Sequence, residues 1–315
     1  MKRIKQSLLV IAALLMCHVP GSAQSHDYGG LKASLTFIQA NDLGRNGYDL
    51  QKPIAELMGE VADAVNPECI IAAGDIHHFS GVQSVSDPLW MTNYETIYSH
   101  PELMIPWYPV CGNHEYVGNT RAVMAYSGIS RRWQMDRKYY TKVFSEDGLS
   151  VRIVWLDTTP LIDRYRKNPE KYHDASEEDM DAQLAWLDTV LSGAIEDWII
   201  VVGHHPVYAY TDKSESERQD MQRRLDPILR KHRVDFYTCG HIHNFQHISV
   251  PESDIDYIVN SSASLSRQNV HATRGSRFVS GDAGFGVISA NRKSLRFSMI
   301  NQDGKIIYQV IRNRK

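Results

Sequence analysis

The chain has 315 residues, 43% of them hydrophobic and 23% charged, with 20 Gly and 12 Pro, which excludes fibrous, low-complexity and disordered classes. Acidic residues outnumber basic ones by 37 to 34, and setting aside the first 23 residues, which carry Lys2, Arg3 and Lys5 and no acid, moves the net charge from −3 to about −6. A nucleic-acid partner held by bulk charge is therefore not expected.

A basic start, an apolar run from Leu8 to Cys17 and the small residues Gly21-Ser22-Ala23 predict a signal peptide over residues 1–23, cleaved before Gln24. An uncleaved anchor needs about 18 apolar residues in a row, and this run stops after roughly ten. Cys17 lacks the preceding small residue of a lipid anchor, and no later stretch is long enough to span a bilayer. The mature chain, 24–315, is thus expected to be exported, periplasmic or secreted, without a membrane anchor and as a single domain. Its three cysteines, Cys69, Cys111 and Cys239, are odd in number and sit in apolar runs, so they read as buried thiols and not as a disulfide framework.

Leu35 to Ala40 reads as a strand, Pro53 to Val65 as a helix with Ile54, Leu57, Met58, Val61 and Val65 on one face, and Cys69 to Ala73 as a strand again. Further strands are predicted at Trp107 to Cys111, Tyr139 to Phe144, Val151 to Leu156, Trp198 to Gly203 and Phe236 to Cys239. Helices are predicted at about Glu178 to Leu191 and Glu215 to Lys231. The charged stretch from Asp163 to Asp181 reads as a solvated loop entering the first of these. Beyond His232 the helical pattern stops, and Ile255 to Asn260, Phe285 to Ala290, Leu295 to Ile300 and Ile306 to Ile311 predict an antiparallel meander, turning at Asn291-Arg292 and Gln302-Asp303-Gly304. The whole is an α/β part followed by an all-strand tail.

Polar residues concentrate just past the strand ends. They are Asn41-Asp42-Leu43-Gly44, Gly74-Asp75-Ile76-His77-His78, Gly112-Asn113-His114-Glu115, Gly203-His204-His205 and Gly240-His241-Ile242-His243-Asn244. Carboxyl ends of strands in an α/β sheet are where ligands bind, and a Gly permits the abrupt turn that aims the next side chain into the crevice. The series supplies two carboxylates, one amide oxygen and several imidazoles. That set fills two cation sites about 3.5–4 Å apart when one carboxylate bridges.

These motifs, together with FSGVQSVSDPLW, PWYPVCGNHEYVGN, AYSGISRRW and VVGHHPVY, resemble the calcineurin-like metallophosphoesterases, and within them the tartrate-resistant (purple) acid phosphatase branch, over Ser34 to Gln246. The resemblance implies a four-layer fold, two packed mixed β-sheets flanked by helices. It implies one metal held by Asp42, Asp75, His78 and His243, and a second held by Asp75, Asn113, His204 and His241, with Asp75 as the bridge. The purple enzymes have Tyr where this chain has His78. A neutral imidazole gives ferric iron no anionic ligand, so two divalent ions (Fe, Zn or Mn) are expected in place of a ferric centre. His77, by alternation, is expected at the surface or in a supporting role.

The charge of such a site dictates its chemistry. Two cations make hydroxide available near neutral pH and align the phosphate for attack, with no side-chain nucleophile needed. His114 is expected to act as acid or hydrogen-bond donor on the leaving-group side. The resemblance carries a second helper onto Asp212, with Lys213 beside it. The function expected is an exported phosphatase acting on phosphate monoesters of small molecules. A phosphodiesterase or nucleotide-pyrophosphate hydrolase on the same scaffold is the alternative, and an inert metal- or phosphate-binding surface protein the remote one. Specificity is expected in the Ser-, Arg- and Gly-rich loop from Ser261 to Asp282.

Overall fold

A computed structural model describes residues 27–314 apart from 252 and 273. The predicted signal peptide lies outside the described residues. The chain runs through β1 (Leu35–Ala40), α1 (Gln51–Val65), β2 (Cys69–Ala72), β3 (Trp107–Pro109), α2 (Thr120–Ala125), β4 (Tyr140–Glu146), β5 (Leu149–Trp155), α3 (Asp163–Arg166), α4 (Met180–Ser192) and β6 (Trp198–Val202). It continues with α5 (Glu215–Arg224), α6 (Asp226–Lys231), β7 (Phe236–Cys239), β8 (Phe245–Ser249), β9 (Asp256–Val259), β10 (Ser276–Ser280), β11 (Gly284–Ala290), β12 (Ser294–Asn301) and β13 (Ile306–Asn313).

Two mixed sheets form, ordered β13-β12-β11-β1-β2-β3 and β10-β8-β9-β7-β6-β5-β4. Alternate residues of each strand meet between them: Phe37, Ile71, Ile153, Trp155, Ile200, Val202, Phe236, Ile288 and Phe297 share one buried cluster. The other faces pack on helices. Ile199 and Val201 of β6 join Leu187, Leu191, Met221 and Leu229, while Ile38 and Ile70 join Ile54, Met58, Val61 and Val65 of α1. Strands buried on both faces explain why these runs are continuously apolar. The result is helix, sheet, sheet, helix: four layers. Among the described residues no helix is long and apolar enough to cross a membrane, and the three cysteines are free and buried.

Three expectations need correction. The tail is not one meander: β11, β12 and β13 form it on the first sheet, whereas β9 pairs in parallel with β7 in the second. The helix from Glu215 divides into α5 and α6, with Pro227 in the first turn of α6. The stretch from Asp163 to Asp181 is anchored, burying Tyr165, Tyr172 and Ala175, because its Arg166 guanidinium donates to the carbonyls of Ala175 and Glu178 and ties the loop to itself.

What matters for function is direction. β1, β2 and β3 run parallel in one sheet, and β5, β6 and β7 run parallel in the other. Their carboxyl ends meet at one edge of the sandwich.

Candidate metal centre

At that edge Asp42 Oδ1 faces His243 Nε2 at 3.2 Å, and Asp75 Oδ2 faces His204 Nε2 at 3.1 Å and His78 Nε2 at 3.5 Å. The donor atoms of Asp42, His78 and His243 fall in one tight group, and those of Asp42, Asp75 and His204 in another. His241 Nδ1 lies 3.2 Å from His204 Nε2. All seven expected ligands are buried.

Three of the four imidazoles, those of His204, His243 and His241, are oriented by their other nitrogen. His204 Nδ1 is 2.9 Å from the Ala73 carbonyl, His243 Nδ1 is 2.6 Å from the Leu265 carbonyl, and His241 Nε2 is 3.0 Å from Glu217 Oε2. A ring nitrogen beside a carbonyl or carboxylate oxygen must carry the hydrogen, so the opposite nitrogen presents a lone pair to the centre. His204 Nε2 and His241 Nδ1 face each other at 3.2 Å, where one positive charge, a proton or a metal cation, serves both. The carboxylates demand positive charge as well. Burial pushes the His204 imidazole down, but Asp75 and Asp42 more than offset this and raise it to about 9. Burial also opposes ionisation of Asp75, yet His204 and His114 hold its carboxyl well below the usual range. Asp42 Oδ1, His78 Nε2 and Asn113 Oδ1 are buried with no hydrogen-bond partner. Buried polar atoms are rarely left so. The residues present fit two cations.

The backbone is built for this task. Asp42, Asp75, His241 and His243 have φ of 52°, 53°, 74° and 59°, a region costly for residues with a side chain and concentrated at functional sites. The ligands themselves turn the chain. Most of the preceding glycines serve close approach instead: a Cβ on Gly112 would meet the Asp75 nitrogen at 2.5 Å, and one on Gly240 would meet Asp42 Oδ2 at 2.6 Å. Gly44 leaves no room for a donor, since its Cβ would meet His77 Cα at 2.9 Å. The β2 loop supplies His78 in its place.

Several supporting residues escaped the sequence reading. Glu115 accepts the backbone N–H groups of Asp75, Ile76, His77 and Gly112, clamping the β2 and β3 tips together. Asn41 Nδ2 and the His241 N–H both donate to Asp42 Oδ2, leaving Oδ1 for the centre. Ser262 and Ser264 donate to the Asp42 carbonyl. Of the two places expected for His77, the surface is excluded: it is fully buried and packs edge-on against Trp90 at 4.6 Å, because the β2 loop curls and strand alternation no longer applies. His114 is half-buried, with Nδ1 2.5 Å from the Phe79 carbonyl and Nε2 3.9 Å from Asp75 Oδ2. Asp212 is not brought to the ligands; it is exposed and accepts from Asn269 of the 261–282 loop. Its neighbour Lys213 reaches in, with Nζ 3.3 Å and 3.2 Å from the two ring nitrogens of His241.

Glu217 supplies one prediction. Glu217→Gln removes the charge that fixes His241, and metal affinity is expected to fall about 10- to 100-fold, read by calorimetric titration with zinc. Unchanged affinity would mean that another group orients His241.

The chain is similar to known proteins. Residues 35–245 match the calcineurin-like phosphoesterase family. A tartrate-resistant acid phosphatase type 5 of Oryctolagus cuniculus is 34% identical over 218 residues, 67% of this chain and 66% of the relative. Purple acid phosphatase 3 of Arabidopsis thaliana is 30% identical over 239 residues, 73% of this chain and 63% of the relative. The chain thus spans just under two thirds of each. Among solved structures, GAP50, the anchor in the inner membrane complex of Plasmodium, superposes with a TM-score of 0.75 at 25% identity, covering 89% of both chains. A match that opens on the first residue of β1, closes on the first residue of β8 and takes in all seven ligand positions makes this chain a member of the calcineurin-like phosphoesterase family, with tartrate-resistant and purple acid phosphatases among its homologues.

Proposed function

We propose that this protein is an exported phosphatase that hydrolyses phosphate monoesters at a centre of two divalent ions. The observation that carries the reading is the complete, pre-oriented ligand set with three buried donor atoms left unpaired. When bound, the two ions supply the hydroxide nucleophile and neutralise charge on the phosphoryl oxygens. Asp42, His78 and His243 would hold one ion, Asn113, His204 and His241 the other, and Asp75 both. Glu115 fixes the loop that carries Asp75 and His78, and the Phe79 carbonyl fixes the ring of His114. His114 then sits beside Asp75, where a proton or hydrogen bond can be delivered to the leaving oxygen. Export rests on the sequence of the first 23 residues, and a small phosphorylated molecule is the partner proposed.

The solved structure described as an anchor in Plasmodium belongs to the same fold, so the fold alone does not imply turnover. Metal quantification of the purified protein beside rates on phenyl phosphate and bis(nitrophenyl) phosphate tests the proposal. About two equivalents of divalent metal and a faster monoester reaction are expected. A faster diester reaction would favour the phosphodiesterase alternative, and no turnover at saturating metal would favour the inert one.

Residue 78 gives a second test. The wild type is expected to lack tyrosinate-to-iron absorption, whereas His78→Tyr loaded with iron should gain a visible band. A purple wild type, or a colourless iron-loaded variant, would show that another residue faces the metal.

A further inference from the structure

On the β4 side of the sandwich, the loop leading into β4 and helix α4 enclose a cleft made of two cavities of about 380 and 470 Å³. Asp136, Arg137 and Trp186 line both, so the halves are continuous. Each half has the size of a small-molecule site. Tyr108 and Tyr140 wall the first half and Tyr139 the second, and none of the seven expected metal ligands lines either.

The rings of this cleft are held in place. Trp186 packs against Tyr139 with centroids 4.9 Å apart, and Tyr140 stacks on Trp155 at 5.0 Å while its hydroxyl donates to the Pro109 carbonyl at 2.6 Å. Several polar groups beside them are unclaimed. Tyr108 is nine-tenths buried, yet among the described residues its hydroxyl makes no hydrogen bond, and neither do the Tyr139 hydroxyl and the Trp186 indole N–H. Buried Tyr and Trp usually find such a partner. Asp136 and Arg137, adjacent and exposed, likewise form no ion pair or side-chain hydrogen bond among the described residues. The Lys142 ammonium lies 5.2 Å from the centre of the Tyr108 ring and donates to no group there.

The donor and acceptor pattern selects the ligand. Asp136 only accepts hydrogen bonds, whereas Arg137 and Lys142 only donate them. An anion would suit the two cations and be repelled by Asp136, and a cation would meet the reverse. A proline-rich peptide suits an aromatic groove, but its proline nitrogens carry no hydrogen for Asp136 to accept. A hydroxyl both donates and accepts. Neighbouring hydroxyls on a sugar ring meet a carboxylate and a guanidinium together, while the C–H faces of the ring pack on the aromatic walls. We propose that this cleft binds a glycan, with one sugar ring in each half and Trp186 shared between them. The site stands apart from the phosphatase reading: it tethers the chain to a polysaccharide whatever the metal centre turns over.

Electrophoresis of the full chain through gels containing a soluble glucan, mannan, galactan or xylan tests this. At least one polysaccharide is expected to retard the wild type, and Trp186→Ala and Asp136→Ala are each expected to weaken that interaction about 10-fold. Trp186 packs partly on the core, so thermal unfolding must accompany its variant. Asp136 is exposed, and its substitution tests the cleft with the fold intact. Asp75→Asn should be retarded as the wild type is; a loss there would place the sugar at the metal centre and overturn the proposal. No retardation by any of the four polysaccharides, or retardation undiminished in either cleft variant, overturns it as well. So does calorimetry in which a proline-rich peptide binds and the polysaccharides do not.

Discussion

Asp75→Asn is expected to fold, to bind neither metal ion and to lose nearly all turnover. Asn tolerates the left-handed backbone that Asp75 adopts, with φ at 53°, so the β2 loop keeps its course. The clamp from Glu115 acts on backbone N–H groups and survives the change as well. What is lost is charge. Asp75 Oδ2 stands 3.1 Å from His204, 3.5 Å from His78 and 3.9 Å from His114, and a neutral amide cannot hold two cations together against their repulsion. Ligand-linked stability reports this without any assay of activity. Divalent ion at about 100 times its dissociation constant should stabilise the wild type by about 2.7 kcal/mol, and thermal unfolding of the variant should not respond. Two bound equivalents and normal activity in Asp75→Asn would overturn the dinuclear assignment.

That the seven expected ligands gather at one edge was legible in sequence because each lies where an apolar strand stops, and strand ends are a local property. Phe236 to Cys239 and then Gly240-His241-Ile242-His243 show the transition directly. The supports could not be read that way, because their partners are distant in the chain. Glu217 lies in ESERQDMQRR, which has the composition of a solvated helix, yet α3 and the His241 loop close over it and bury it. Ser262 and Ser264 look like loop filler until the β9 end packs on the Asp42 carbonyl, 220 and 222 residues away. Asp212 and Lys213 divide in a related way: adjacent loop side chains diverge, so Asp212 meets Asn269 while Lys213 reaches His241.

The fold shows the same division. Strands with continuous apolar runs, β1, β2, β6 and β7, fall within one residue of their predicted bounds because both faces are buried. β8 was hidden by its position directly behind the ligand loop, and β10 by a polar sequence, SRFVS, that forms a strand only by pairing with β8. β9 was read into the wrong sheet: its sequence marks it as a strand but says nothing of the parallel partner, β7, that it finds.

His114→Ala is expected to keep its metal ions and lose about 10² to 10⁴ in turnover. The donor atoms of His114, Asp75 and His78 also fall close together, but His114 Nε2 is farther from Asp75 Oδ2 than that of either His204 or His78. Its ring is set by the Phe79 carbonyl at 2.5 Å, which takes the Nδ1 hydrogen and leaves Nε2 directed toward the centre. With Nε2 protonated, the ring can supply a hydrogen to the leaving oxygen as the P–O bond lengthens. The dependence on that hydrogen should follow the basicity of the leaving group. Esters of alkyl alcohols should therefore suffer the full loss, and nitrophenyl phosphate, whose leaving group needs little help, a much smaller one. Metal content of the variant separates this role from coordination. If the ions leave together with the activity, His114 is a ligand or a support; if the loss is the same for good and poor leaving groups, its hydrogen goes to the phosphoryl oxygens and not to the departing one.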